Sequence, residues 1–127
     1  MKNILENNNK FRKTKFFFNK VEALSVLPDD QFSSLLYPKS LLSESQIYGG
    51  ARYNNLYKTS LKDFPLISII MPNFKEENLA KSIDSILNQN YPNIELIIID
   101  GNSGKKTTEL LAGYGNDIDI WVSEKDK

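Results

Sequence analysis

Asp100 follows directly on the apolar run Ile94 to Ile99 and leads into Gly101-Asn102-Ser103-Gly104, while Phe74 follows Pro72-Asn73 at the end of a similar run. A carboxylate so placed can accept hydrogen bonds from sugar hydroxyls or from a base N–H. A glycine lets a ligand approach the main chain, and an aromatic ring offers a stacking face. Such a set suits a nucleotide. A second reading stands beside it, in which Asp100 only caps its own loop and Phe74 fills core. With Cys at 0 and His at 0, the chain has no thiolate or imidazole for metal binding, nucleophilic attack or general base work. Carboxylates, hydroxyls, amines and main chain remain. Neither GxxxxGK(S/T) nor GxGxxG occurs, so nothing argues for a P-loop or a dinucleotide fingerprint.

Elements of defined type must hold these residues. Leu66-Ile67-Ser68-Ile69-Ile70-Met71 is a β-branched apolar run ended by Pro72, the pattern of a parallel-sheet strand buried on both faces. Leu79, Ile83, Ile86 and Leu87 fall at i, i+4, i+7 and i+8, which predicts an amphipathic helix with Glu76 and Glu77 near its positive end. After the turn Asn90-Tyr91-Pro92-Asn93, Ile94 to Ile99 forms a second strand interrupted only by Glu95. Thr107 or Thr108 is expected to cap a short helix carrying Leu110 and Leu111, with Gly113 and Gly115 stopping it. Ile118 to Val122 makes a third strand on which Trp121 packs. Strand, helix and strand in succession cross over with right-handed sense. The ends at Pro72-Asn73-Phe74 and Asp100-Gly101 therefore open on one edge, where open α/β sheets bind ligands.

Before Phe64-Pro65 the apolar groups are short and weakly periodic, which places a domain boundary there: residues 1–64 a partly helical leader or appendage, residues 65–127 the α/β unit. Val21 to Leu27 and Pro28 to Leu36 are each expected to form a short helix, and Tyr48 to Tyr53 a turn leading into an extended aromatic arm. Lys+Arg 16 balances Asp+Glu 16, which gives no hint of nucleic acid. No apolar run is long enough to cross a bilayer or to serve as a signal-peptide h-region. A cytoplasmic protein is expected. Two readings remain for the basic, aromatic stretch Lys10 to Lys20: a frayed or helical tail, or peripheral contact with the inner membrane surface.

Taken together, Pro65 to Lys75, Ser82 to Glu95 and Ile97 to Ser103 resemble the start of family 2 glycosyltransferases. Trp121 to Lys127 resembles a third-strand motif of the bacterial subgroup that builds cell-surface polysaccharides, and Gly49-Gly50-Ala51-Arg52 with Tyr57-Lys58 resembles the arm preceding it. The resemblance implies a GT-A fold, a Rossmann-like parallel sheet with helices on its faces, that binds a nucleoside-diphosphate sugar of the UDP or GDP type. It implies Pro72, Asn73 and Phe74 beside the base, Asp100, Gly101 and Ser103 at the second strand end, and Asp126 near base or ribose. It further implies a divalent metal, manganese or magnesium, held by an Asp-x-Asp element. That element and the later acidic base are absent here, so no metal ligand and no catalytic residue is assigned. The i, i+2 spacing of Glu124 and Asp126 imitates the element, but at the position of the third-strand motif. Gly104, Lys105 and Lys106 stand where the family's signature has Thr, Asp and Gly. The expectation is a truncated domain, inactive alone, or a nucleotide-binding module that complements a separately encoded catalytic chain.

Overall fold

The computed structural model describes residues 47–124. The helices expected before residue 37, the stretch Lys10 to Lys20 and Asp126 lie outside the described residues.

Among the described residues four strands form one sheet: β1 (Ile47–Gly49), β2 (Ile67–Asn73), β3 (Ile94–Asp100) and β4 (Ile120–Ser123), in the order β1-β4-β3-β2. β2, β3 and β4 run parallel, and β1 pairs antiparallel with β4. Helices α1 (Leu79–Leu87) and α2 (Lys105–Gly113) make the two crossovers. Successive right-handed crossovers stepping the same way across a sheet land on the same side. Both helices accordingly pack on one face, where Leu79, Ile83 and Leu87 of α1 and Leu111 of α2 meet Leu96, Ile98, Ile118 and Trp121. The opposite face carries a smaller core of Ile97, Ile120 and Val122 with Tyr53 against it.

β3, with a neighbour on each side, is buried almost throughout, as a continuous apolar run predicts. The same inference fails for β2. Among the described residues only β3 flanks it, and Ile67 is 47% and Ile70 67% exposed. Ile67 N–H donates to Asn93 O, so the main-chain groups of residues 67, 69, 71 and 73 face β3, and those of 68, 70 and 72 face the open edge. Pro72, expected to end the strand, sits inside it at an edge-facing position, where its missing N–H breaks no ladder bond.

α1 follows its apolar stripe. α2 begins earlier than expected: Gly104, at φ 116°, takes the N-cap position, and Thr108 is buried inside the helix with its Oγ1 donating to Lys105 O at 3.0 Å. Among the described residues no helix is long and apolar enough to cross a membrane.

The expected aromatic arm folds into the sheet. Gly49 lies against the Trp121 indole, and Ala51–Asn54 form a 3-10 turn whose Ala51 and Arg52 N–H groups donate to Ile118 O and Asp119 O at 2.8 and 3.0 Å. Arg52 pairs with Glu95 at 2.8 Å and Lys58 with Asp119 at 3.1 Å, all four side chains buried. Glu95, which interrupts the apolar run of β3, thus has its partner on the arm, with Ser68 Oγ donating to its other oxygen. Asn93 Nδ2 donates to Thr59 O and Phe64 O at 2.9 and 2.7 Å. Residues on both sides of Phe64-Pro65 therefore share one sheet and one set of buried polar contacts.

Candidate functional site

The strand ends bring Asn73, Asp100 and Ser123 into register, Asn73 beside Asp100 and Asp100 beside Ser123. All three are buried, on the helix-covered side of the sheet. The Asp100 carboxylate gathers them: Oδ1 accepts from Asn73 Nδ2 at 2.7 Å and Ser103 Oγ at 2.6 Å, and Oδ2 accepts from Ser103 N at 3.0 Å and Ser123 Oγ at 2.8 Å. Main-chain bonds run beside them, from Gly101 N to Asn73 O and from Glu124 N to Asp100 O, each 2.9 Å. Ser103 Oγ also accepts from Lys75 N at 2.7 Å, which ties the loop after β2 to the loop after β3. Both loops hold residues in the left-handed region, Lys75 at φ 51° and Asn102 at φ 64°. Such conformations persist only where surrounding contacts hold them.

Asn73, Asp100, Gly101 and Ser103, expected at the site from the sequence, are thus joined in one bonded group. Phe74 and Pro72 are exposed outside it, Phe74 at 60%, so Phe74 does not fill core. Lys75 Nζ lies 5.1 Å from the Phe74 ring centroid, within cation–π range. Asp100 does cap its loop through Ser103 N, and it also clasps three strand ends. Ser123 was not singled out by sequence reasoning. The available signal was its place directly after the third apolar run, the position Asp100 holds after the second.

Burial by itself would push the Asp100 carboxyl up. The hydrogen bonds from Ser103, through side chain and main chain, and from Asn73 and Ser123 outweigh it and hold the group below the ordinary carboxylate range. A carboxyl whose folded pKa lies below its unfolded value of about 3.9 contributes stability above that pH and loses it as pH falls through the folded value. Acid unfolding of the chain is expected to include this contribution below about pH 4. Asp100→Asn removes it, and a urea midpoint measured against pH should be flatter in the variant. An unchanged slope contradicts the assignment.

A divalent cation finds no fit here. Among the described residues no group of three or more carboxylates converges, and the Asp100 oxygens already have protein donors. What the edge offers is an exposed aromatic face, exposed amines at Lys75, Lys105 and Lys106, and turns whose main chain is tied by hydrogen bonds.

Residues 68–126 match the family described as Glycosyl transferase family 2. An uncharacterized glycosyltransferase of Rickettsia typhi is 39% identical over 61 residues, 47% of this chain and 19% of that protein. One from Haemophilus influenzae is 52% identical over 50 residues, 39% of this chain and 20% of the relative, and one from Rickettsia prowazekii 40% over 55 residues, 42% and 17%. The chain thus spans about a fifth of the length of these relatives. No solved structure matches it significantly.

Proposed function

We propose, from the match of residues 68–126 to glycosyl transferase family 2, that the chain supplies the nucleotide-sugar-binding portion of a glycosyl transfer enzyme of cell-surface polysaccharide synthesis. The donor is a UDP or GDP sugar. Pro72, Asn73 and Phe74 lie beside the base, Asp100, Gly101 and Ser103 at the second strand end, and Asp126 toward base or ribose. The observation that carries the reading is the exposed Phe74 ring at the carboxyl edge of a parallel sheet, beside strand ends clasped by one carboxylate. In this proposal the nucleotide-binding sequence starts near Pro65, while the sheet it belongs to starts at Ile47. The work is cytoplasmic, at most peripheral to the inner membrane, with no nucleic-acid partner.

A second reading has its own support. The open edge of β2, with Ile70 67% exposed, can accept a further strand, so the chain can complete a catalytic half encoded separately.

Calorimetry with UDP, GDP and their sugar conjugates, with and without manganese, tests the first reading. Binding is expected, and Phe74→Ala is expected to weaken it by about 1–3 kcal/mol, the usual contribution of one base stacked on an aromatic ring. Folded protein indifferent to every one of these ligands would sink the proposal.

A further inference from the structure

The Asp100 carboxylate is spent on the protein. An ionised carboxylate offers about four lone-pair sites, two on each oxygen. Here Oδ1 accepts from Asn73 Nδ2 and Ser103 Oγ, and Oδ2 accepts from Ser103 N and Ser123 Oγ, all at 2.6–3.0 Å. The residue is fully buried, with donors from the ends of β2 and β4 and from its own following loop. A ligand hydroxyl or base N–H reaching this group would have to displace one of those donors. The displaced hydroxyl or amide would then need a new acceptor in a buried place.

The same bonds lead outward to Phe74. On one side, Asn73 is held by its side chain on Asp100 Oδ1 and by its carbonyl on Gly101 N. On the other, Lys75 is held at φ 51° by its N–H on Ser103 Oγ, and that hydroxyl in turn donates to Asp100 Oδ1. Phe74 stands between two anchored neighbours while its own ring is open. Its main-chain direction therefore depends on a carboxylate it does not touch.

We propose that Asp100 is a positioning residue that never contacts the nucleotide, and that it sets the geometry of an outer ligand surface made by Phe74 and the turn 101–104. The proposal rests on the nucleotide reading above and deepens it. It predicts a specific thermodynamic signature, because a group acting through the loops affects every ligand alike, whereas a direct contact is sensitive to the ligand atom it touches.

The test uses the full chain and three ligands: UDP, 3-methyl-UDP, which has no base N3–H, and 2′-deoxy-UDP, which has no ribose 2′-hydroxyl. Asp100→Asn is expected to weaken all three by the same factor, roughly tenfold, as loss of one positioning contact worth about 1.4 kcal/mol implies. Ser123→Ala, a milder change that frees one Oδ2 site without removing the carboxylate, is expected to weaken all three equally by a smaller factor. A loss on Asp100→Asn for UDP that disappears with either analogue identifies a direct contact and overturns the proposal. Amide hydrogen exchange provides a readout that needs no ligand. Exchange at Lys75 and Gly101 is expected to speed up in Asp100→Asn and, less strongly, in Ser123→Ala. Unchanged exchange at both amides overturns the positioning role even if UDP binds. Conversely, folded wild type that ignores UDP while its Lys75 and Gly101 amides respond to these substitutions refutes the nucleotide reading and leaves the positioning network standing.

Discussion

Lys58→Met is expected to lower the folding stability by about 3–5 kcal/mol, read as a large fall in the urea midpoint, because it leaves a buried carboxylate without its counter-charge. Lys58 is fully buried, with its Nζ donating to Asp119 Oδ2 at 3.1 Å and to Ile94 O. Burial lowers the Lys58 pKa and raises that of Asp119, each opposed by the attraction of the other. Without Lys58, only the Leu96 N–H, 2.8 Å away, still donates to that Asp119 oxygen from outside the lost pair. The acid is then expected to stay protonated to higher pH in the folded state. A group whose folded pKa is raised contributes stability that is complete below its unfolded value and is lost as pH rises through the folded one. The variant should therefore recover stability as pH is lowered from 7 toward 4, in contrast with the contribution of Asp100. Lys58→Met combined with Asp119→Asn keeps an acceptor for Leu96 N–H and buries no lone charge. The double variant should regain most of the loss. A single variant costing under about 1 kcal/mol, or a double no better than the single, would contradict this account.

Gly50→Ala is expected to cost more than Gly104→Ala, although the two glycines share one backbone conformation: φ 114°, ψ 174° and φ 116°, ψ 177°. Residues with side chains rarely enter that region, and the strain is about 1–3 kcal/mol at either site. The surroundings separate them. A Cβ at Gly50 would stand 2.6 Å from Asp119 O, and that carbonyl already accepts from Arg52 N at 3.0 Å and cannot withdraw freely. At Gly104 a Cβ would meet nothing within 4 Å. Overlap at Gly50 should add about 1–3 kcal/mol to the shared strain. Thermal and urea unfolding of both variants measure the difference directly, and equal losses would show that the arm gives way at Gly50 without cost.

Both predictions concern residues 50–58, where reading the sequence was least informative. The weak periodicity of that segment reported only that it was no regular helix or long strand. It could not report that Arg52 meets Glu95 across 43 residues of chain, or that Lys58 meets Asp119 across 61. Glu95 reads as a break in its apolar run because a charge is normally excluded from such a position, and Asp119 stands likewise among apolar residues of the third run. Each is tolerated because the arm brings a cation to it.

What the sequence determined was local and periodic. The helix α1 follows from the spacing of Leu79, Ile83, Ile86 and Leu87. The strand type of β2, β3 and β4 follows from β-branched runs, and the ordered motifs from Pro65 to Ser103 carry the resemblance to family 2 glycosyltransferases. Chain order and the right-handed crossover then put Asn73 and Asp100 on one edge. Tertiary structure decided whatever depends on the number and identity of neighbours. An apolar run is the same string of letters in a central strand and at an edge, so only the sheet order shows β3 enclosed and β2 at the edge of the sheet that the described residues form. A carboxylate at a strand end is equally available to a ligand or to the protein until its donors are placed. Here Asn73, Ser103 and Ser123 take all its lone pairs, because register aligns three strand ends around it.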